Sequence, residues 1–303
     1  MNGILDINNL TIKYGKNTVV NNFNLFIEKG HICGLIGPNG AGKTTIMKFL
    51  AGLILPDDGY VKLFGDKDNL QDSRQRMSFM IEAPYIDGSM TAFENMQYIR
   101  FIKGVADEKR IEEVLEIVGL SHTENKPVRN FSLGMKQRLG IGMALLQNPE
   151  IMILDEPVNG LDPEGIVNIR NLLKRLCEND NVTILISSHL LSEMAELCTD
   201  FAIINHGKLI DSFSVQELKE KCENHITIKT NDINKTAAVL EEKLNIDKYR
   251  VIHGDELHIF ELLDKIETVS KVITDNNIIL TKLIIEGESL EEYYMSKVGD
   301  INE

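Results

Sequence analysis

Residues 37–44 carry the strongest chemical signal in the sequence. They read Gly-Pro-Asn-Gly-Ala-Gly-Lys-Thr and match the pattern G-x-x-x-x-G-K-[ST]. Glycines allow successive backbone N–H groups to turn toward a phosphate, and the start of a following helix adds positive potential. Lys43 can then reach the β- and γ-phosphates of a nucleotide, while the Thr44 hydroxyl ligates Mg²⁺. The alternative interpretation is a glycine-rich turn that merely precedes a helix.

Two acidic residues end a strongly apolar segment. Residues 151–156 read Ile-Met-Ile-Leu-Asp-Glu, which indicates a buried strand that ends in two carboxylates. We expect Asp155 to hold Mg²⁺ through its water shell and Glu156 to be the general base that polarises the attacking water. The alternative is an acidic pair that caps the next helix.

A histidine and a serine-glycine segment could also contact phosphate. His189 follows the apolar segment 182–186 and should lie at the same carboxyl edge of the sheet, where it could donate a hydrogen bond to the γ-phosphate. A lone histidine after a strand is more often a surface or core residue. At the start of a helix, the Ser132 hydroxyl and the Gly134 N–H would form a second anion site. One nucleotide does not need two such sites from a single chain.

Short strands and a helix must position the glycine-rich loop. Residues 31–36 form an apolar segment that predicts a strand running into the loop, and residues 44–53 are predicted to be a helix. The segment 4–27 alternates apolar and polar residues around a turn at 14–17, which indicates antiparallel strands. A small antiparallel β layer is therefore expected to open the fold.

The middle of the chain predicts a sheet and a helical subdomain. Continuous apolar segments at 151–154, 182–186 and 201–204 are typical of parallel strands buried on both faces. Between residues 83 and 150, apolar residues recur three and four positions apart, most clearly in 110–118 and 135–146. We interpret this region as a helical subdomain inserted before the later strands.

The carboxyl-terminal part follows a plainer plan. A charged helix is predicted at 211–223, and the boundary between two domains is placed at about residue 220, giving 1–220 and 221–303. Strands are predicted at 226–228, 249–251, 257–259 and 278–285, with helices at 235–244 and 264–274. This β-α-β-β-α-β order fits a small ferredoxin-like α+β domain. It carries no cluster expected to be catalytic, so a role in dimer stability or regulation is the hypothesis.

Composition limits the function further. The chain has 303 residues and a formal net charge of -14, which argues against sequence-independent nucleic-acid binding. It has no apolar segment near the ~18–20 residues needed to span a bilayer and no secretory signal, so we expect a cytoplasmic protein. The cysteines Cys33, Cys177, Cys198 and Cys222 lack Cys-x-x-Cys spacing and are interpreted as buried apolar residues.

Taken in order, these motifs resemble those of the nucleotide-binding subunits of ATP-binding cassette (ABC) transporters over roughly residues 3–220. The family's Walker A, signature, Walker B, D-loop and switch-histidine motifs are all recognisable. The resemblance implies an α/β P-loop cassette, with a mostly parallel sheet, an antiparallel β layer and a helical subdomain, that binds ATP and Mg²⁺. It also implies a head-to-tail homodimer in which Ser132 and Gly134 of one copy contact the γ-phosphate held by Lys43 of the other.

Other residues take their roles from the same resemblance. Residues 159–162, Asn-Gly-Leu-Asp, match the D-loop that crosses the dimer interface, and Tyr14 matches the aromatic residue that stacks on adenine. A tyrosine in a turn is otherwise often a surface aromatic. The expected nucleotide-binding positions are Tyr14, Gly37, Pro38, Asn39, Gly40, Ala41, Gly42, Lys43, Thr44, Thr45, Ser132, Gly134 and Asp162.

The sequence departs from the family pattern in two places. Leu133 and Met135 replace the first glycine and the glutamine of the usual Leu-Ser-Gly-Gly-Gln signature. Glu82 stands where the family usually has a glutamine that senses Mg²⁺ and the attacking water. A glutamate can still offer an oxygen to Mg²⁺, but it adds charge beside Asp155 and Glu156, so we expect its proton affinity to rise.

The segment around Glu82 and the carboxyl-terminal tail resemble those of one branch of the family. Residues 81–84, Ile-Glu-Ala-Pro, and the tail at 286–294 are similar to those of bacitracin-type and lantibiotic self-protection exporters. The predicted function is therefore an ATPase that energises a separate membrane permease, which exports an antimicrobial peptide or antibiotic. The ATPase would lie on the inner face of the membrane, bound to this permease. The alternatives are a soluble ABC-type ATPase that acts on ribosomes or DNA, and a degenerate cassette that only binds nucleotide and regulates.

Overall fold

A computed structural model describes residues 3–82, 84–123, 125–221, 224–252, 254–287 and 290–299. Outside the described residues lie Ala83 of the segment 81–84, Cys222, and residues 288–289 of the tail at 286–294. The chain divides into two units, the first ending at Val215 and the second beginning at Gln216.

The first unit begins with strands and alternates strands with helices. Its elements in chain order are β1 (Gly3–Tyr14), β2 (Asn17–Glu28), β3 (Ile32–Ile36), α1 (Lys43–Leu50), β4 (Asp58–Leu63), α2 (Leu70–Gln75), β5 (Met77–Met80), α3 (Ala92–Lys103), α4 (Lys109–Ile117), α5 (Leu133–Leu145), β6 (Ile151–Asp155), α6 (Pro163–Asp180), β7 (Thr183–Ser188), α7 (Leu191–Leu197), β8 (Asp200–Asn205) and β9 (Lys208–Ser214).

Two sheets build this unit. Strands β5, β6, β7, β3 and β8 are neighbours in that order and run parallel, and β9 joins β8 antiparallel at one edge. Strands β2, β1 and β4 form a separate antiparallel sheet, as the alternation at 4–27 predicted. Apolar side chains from both sheets and α1, such as Leu5, Leu35, Met47 and Ile153, share one buried core. The predicted α/β cassette architecture is therefore present.

Register brings the carboxyl ends of the parallel strands to one edge. Ile36 pairs with Ser188, and Asp155 pairs with Ser187, so β3, β6 and β7 end side by side. Because parallel strands point the same way, the loops that follow them all leave from that edge. The fold thus collects the segments that carry the predicted chemistry.

The helical region contains α3, α4 and α5, close to where periodicity predicted helices. Helix α3 begins at a capping box, in which Thr91 accepts from the Glu94 N–H and the Glu94 carboxylate accepts from the Thr91 N–H. It ends at Gly104, which has a φ of 67°. These local signals explain why the chain turns sharply at both ends of this helix.

The predicted helix at 211–223 is wrong for its first four residues. Residues up to Ser214 belong to strand β9, which pairs with β8, and the helix α8 (Val215–Lys221) starts only afterwards. Phe213 is buried and packs on Phe201, with ring centroids 5.5 Å apart. Burial of this one aromatic favours the strand, because a strand points alternate side chains to opposite faces.

The second unit is built on a four-stranded antiparallel sheet. After α8 its elements are β10 (Asn224–Thr230), α9 (Ile233–Leu244), β11 (Tyr249–Ile252), β12 (Glu256–Ile259), α10 (Ile266–Asp275), β13 (Leu280–Gly287) and α11 (Leu290–Gly299). From β10 to β13 this is the predicted β-α-β-β-α-β order, and the strands lie in the order β11-β12-β10-β13. Ile226 and Ile259 of the sheet and Leu240 and Val269 of the helices form its core.

Two sequence expectations concern the chain as a whole. Among the residues with described positions, no helix combines the length and the apolar character needed to cross a bilayer. Cys33, Cys177 and Cys198 are buried free thiols, as expected of core residues, and burial raises the pKa of each. The Cys177 thiol also donates to the Gly30 carbonyl oxygen at 3.0 Å.

Candidate active site

The glycine-rich loop joins β3 to α1 and requires glycine at three positions, either for lack of space or for the backbone conformation. A Cβ at Gly37 would lie 2.2 Å from the Ile204 carbonyl oxygen. Gly40 and Gly42 have φ values of 82° and 108°, in the region that favours glycine. Gly42 also precedes the first residue of α1, so backbone N–H groups at this helix start are left free of helical partners. The loop is thus a cradle of backbone donors at a helix terminus.

Lys43 is 6% exposed and folds back on this loop. Its Nζ donates to the carbonyl oxygens of Gly37 at 2.6 Å and of Pro38 at 3.2 Å. Burial lowers the pKa of Lys43, and the nearby carboxylates of Glu156 and Asp155 oppose that shift. A buried ammonium with only carbonyl partners is well placed to exchange them for a bound anion.

A chain of hydrogen bonds runs across the edge of the parallel sheet. Thr44 Oγ1 donates to Asp155 Oδ2 at 2.8 Å, and Ser187 Oγ donates to Asp155 Oδ1 at 2.6 Å. The Glu156 N–H donates in turn to Ser187 Oγ at 3.0 Å. Finally, His189 Nδ1 lies 2.8 Å from Glu156 Oε2. Residues from α1, β6 and β7 are therefore joined in one network.

A cavity of about 240 Å³ lies beside this network. Its lining residues are Val19, Asn39, Gly40, Gly42, Lys43, Thr44, Thr45, Asp155 and Glu156. A larger cavity, of about 470 Å³, lies in the helical region and includes Thr91, Glu94 and Glu112 in its lining. We assign the chemistry to the smaller cavity, because the cradle and the carboxylates face it together.

Glu82 does not behave as the sequence suggested. Its carboxylate oxygen Oε1 lies 2.8 Å from Lys48 Nζ, and this hydrogen bond and charge lower the pKa of Glu82. The expected rise in proton affinity is therefore wrong for this structure. The reason is that a lysine of α1 donates a hydrogen bond to the glutamate and neutralises it, which favours the charged carboxylate.

Four residues expected to contact nucleotide or the dimer interface lie outside this cavity. Ser132 is exposed and caps α5 by accepting a hydrogen bond from the Met135 N–H, and Gly134 follows in the first turn. Asp162 caps α6 by accepting from the Gly165 N–H at 3.1 Å. Tyr14 ends β1 with 52% of its surface exposed. None of the four lines the cavity around Lys43.

The comparisons with known proteins agree with the geometry. A family model described as ABC transporter matches residues 20–159. The chain is 38% identical over 301 residues to the bacitracin transport ATP-binding protein BcrA of Bacillus licheniformis, covering 99% of this chain and 98% of that protein. The chain belongs to the ATP-binding proteins of ABC transporters. It is also 44% identical over 207 residues to the lantibiotic transport ATP-binding protein SrtF of Streptococcus pyogenes, covering 68% and 89% of the two chains.

Solved structures show the same cassette. An ATP-binding subunit of an ABC transporter matches with a TM-score of 0.63 and 26% identity, over 72% of this chain and 92% of that one. A dimeric cassette in a post-hydrolysis state, bound to ADP and phosphate, matches with a TM-score of 0.62 and 26% identity, over 70% and 98%. The predictions of the family, the cassette fold and the ATPase activity are confirmed, and the protein is an ABC ATPase that binds ATP.

Sequence reasoning missed two residues of this ABC ATPase site. Ser187 lies two residues before His189, but only the strand register shows that it faces Asp155. Lys48 follows Thr44 by four residues, and side chains four apart share one face of a helix. That periodicity could have signalled a second cation near the loop.

Proposed function

We propose that this ABC ATPase energises a separate membrane permease that exports a peptide antibiotic of the bacitracin or lantibiotic type. The support is the full-length similarity to a bacitracin transport protein and the similarity of the cassette to a lantibiotic transport protein. In this proposal the protein works at the cytoplasmic face of the membrane through the permease. The named relatives are transport proteins, so the alternative of an ATPase acting on ribosomes or DNA receives no support.

Within the site, we assign phosphate binding to the loop and hydrolysis to the sheet edge. The loop from Gly37 to Thr45 and the Lys43 ammonium would hold the triphosphate. Glu156 would be the general base, with His189 orienting it and donating toward the terminal phosphate. The single observation that carries this assignment is the unbroken hydrogen-bond chain from Thr44 to His189.

The same edge suits a magnesium ion. Thr44 Oγ1 and the Asp155 carboxylate offer hard oxygen ligands within 2.8 Å of each other, and Glu82 offers a further carboxylate in the same unit. These residues therefore fit Mg²⁺, and we propose them as its binding groups. When bound, the ion would offset charge on the β- and γ-phosphates.

We propose further that two copies close over two nucleotides in a head-to-tail homodimer. Ser132 and Gly134 would meet the nucleotide held by the partner, Asp162 would border the interface, and Tyr14 would stack on adenine. Support comes from the exposed start of α5, where helix N–H groups and the dipole favour an anion. The dimeric state described for the similar post-hydrolysis cassette is consistent with this assembly.

Gly134 offers a clean test of the dimer. A Cβ at this position would meet Gly165 and Leu161 at 3.8 Å, an ordinary contact, so a substitution leaves the fold of one chain intact. We expect the Glu156→Gln variant to elute as a dimer with ATP and as a monomer without it. Adding Gly134→Asp should abolish that dimer, because a carboxylate would face the partner's γ-phosphate, while fluorescent-nucleotide binding persists. A Gly134→Ala control should still dimerise.

Export is tested in a susceptible bacterial host. The protein is expressed with a candidate permease, and the minimal inhibitory concentrations of bacitracin and of a lantibiotic are measured. We expect higher resistance to one of them, which the Glu156→Gln variant should not confer. Equal sensitivity with and without the active pair would contradict the export proposal while leaving the ATPase assignment untouched.

The two parts of the chain are proposed to have different tasks. Residues 1–220 would be the ATP-binding domain and residues 221–303 an accessory domain of ferredoxin-like topology that supports the dimer. The strand order β11-β12-β10-β13 favours that topology. Truncation near residue 220 should weaken ATP-dependent self-association, and unchanged association in gel filtration would remove this role.

A further inference from the structure

Lys48 lies one helical turn beyond the phosphate-binding end of α1. It follows Thr44 by four residues, so both side chains project from one face of the helix. Thr44 uses that face to contact Asp155. The hydrogen bond with Glu82 and the charge of that carboxylate raise the pKa of Lys48, and Asp155 adds a smaller upward contribution. The ammonium group therefore stands at the border of the nucleotide site.

Glu82 reaches Lys48 from a constrained backbone. It follows β5, which ends at Met80, and has a φ of 65°, in the left-handed region that non-glycine residues seldom adopt. Such conformations persist where neighbouring contacts hold them. The 2.8 Å bond to Lys48 ties the side chain of this segment to α1.

The ion pair of Lys48 and Glu82 affects ATP binding through the local charge. Asp155 and Glu156 already place two carboxylates beside the cavity, and the substrate brings a triphosphate. An unpaired Glu82 at the same border would repel that substrate, whereas a pair of Lys48 and Glu82 has no net charge. Exposed ion pairs contribute little to fold stability, and 68% of the Glu82 side chain is exposed. The pair therefore matters for the charge and position of Glu82, not for folding.

We propose that Lys48 is a positioning residue that neutralises Glu82 and holds it at the edge of the nucleotide site, so that a carboxylate is tolerated beside the triphosphate. This inference rests on the proposed role of the site in ATP hydrolysis. It adds a residue from α1 that contacts neither the cradle nor the catalytic carboxylates directly. Its effect should reach the substrate mainly through Glu82.

A double-mutant cycle tests this dependence. Lys48→Met, Glu82→Gln and the double variant are compared with the wild type for kcat, for KM of ATP at saturating Mg²⁺, and for fluorescent-ATP affinity in EDTA. We expect Lys48→Met to weaken nucleotide affinity on the order of tenfold, mainly through KM. In the Glu82→Gln background the same substitution should have a clearly smaller effect, because only the direct attraction of Lys48 for the triphosphate is then lost. Lys48→Arg should retain affinity, because it keeps the cation.

Salt and a matched lysine separate this role from a structural one. Because the loss in Lys48→Met is electrostatic, it should shrink as NaCl is raised. Lys29 also pairs with a glutamate, Glu150, at 3.3 Å, and Lys29→Met should leave nucleotide affinity unchanged. Equal losses from Lys48→Met with and without Glu82, or no loss at all, would overturn the inference. Absence of hydrolysis in the wild type would instead contradict the proposed function.

Discussion

The mostly parallel sheet of the first unit and the antiparallel sheet of the second unit of this ABC ATPase carry their polar groups in opposite ways. In the first unit, Thr44 and Asp155 come from different elements and line one cavity, and Ser187 from a third element bonds to Asp155. In the second unit, Lys229 contacts Glu256 at 3.3 Å, and Lys282 contacts Glu256 at 3.4 Å, so charges cancel along the strands. The converging groups of the first unit can therefore bind a ligand, whereas the paired charges of the second unit already neutralise each other.

Strand direction is the physical reason for this difference. All neighbouring strands from β5 to β8 are parallel, so their carboxyl ends meet at a single edge. The strands of the second sheet are antiparallel, so each edge mixes strand starts with strand ends. A parallel sheet therefore concentrates loops and their functional groups, and an antiparallel sheet spreads them.

The largest effect is expected from the sheet edge of the first unit. Glu156→Gln removes the proposed general base and should lower kcat by about 10²–10⁴-fold in a phosphate-release assay, while ATP still binds. Glu150 provides a matched control, because it precedes the same strand and pairs with Arg76 at 2.6 Å. Glu150→Gln should retain activity. Hydrolysis at the wild-type rate by Glu156→Gln would mean that the base is another residue.

The next effect concerns the serine that joins the two carboxylates. Ser187→Ala removes the 2.6 Å bond to Asp155 and the acceptor of the Glu156 N–H, leaving buried polar groups unpaired. We expect a loss of about 1–3 kcal/mol in the free energy of unfolding and a kcat about tenfold lower. Both are measured on one preparation by urea denaturation and phosphate release.

Ser188 is the control for this prediction. It is also fully buried, but its Oγ accepts from the Leu190 N–H at 3.0 Å and takes no part in the network. Ser188→Ala should lower stability with little change in kcat. Equal losses of kcat in the two variants would show that the network has no special role and would weaken the contrast between the sheets.

Local sequence signals predicted the elements better than the contacts between them. The glycine-rich loop and the strand before Asp155 could be recognised, because each depends on adjacent residues. Ser187 and Lys48 could not be assigned, because their partners lie 32 and 34 residues away and are fixed by strand register and loop path. The charged segment after Asp211 predicts a helix. Its strand could not be recognised, because it depends on the burial of a single aromatic residue, Phe213.

A buried histidine pair should give the second unit a modest pH dependence. His225 and His258 stack with ring centroids 3.9 Å apart, and both are buried. Burial chiefly, and the neighbouring His225, lower the pKa of His258, although Glu256, Glu292 and Glu286 oppose this. The unfolded chain therefore binds the proton more readily than the folded one, so stability falls as the pH drops below about 6.5.

Hydrogen exchange measures this pH effect in the unit concerned. Amides of β10 and β12 should lose protection between pH 7.5 and 5.5, after correction for intrinsic exchange, by less than about 1 kcal/mol because the three carboxylates oppose the shift. His258→Phe should flatten this dependence. The same dependence in His258→Phe and the wild type would show that other groups cause it.

The smallest effect is expected from the ion pairs on the sheet of the second unit. Lys229 lies 3.3 Å from both Asp255 and Glu256, but its side chain is 36% exposed and that of Asp255 is 68% exposed. Solvent and salt screen such pairs, and ordering the side chains offsets the attraction. Lys229→Met should therefore leave urea unfolding unchanged at physiological salt. A loss as large as that of Ser187→Ala would mean that charges paired along a sheet matter as much as groups converging on a cavity, and the contrast between the two units would fail.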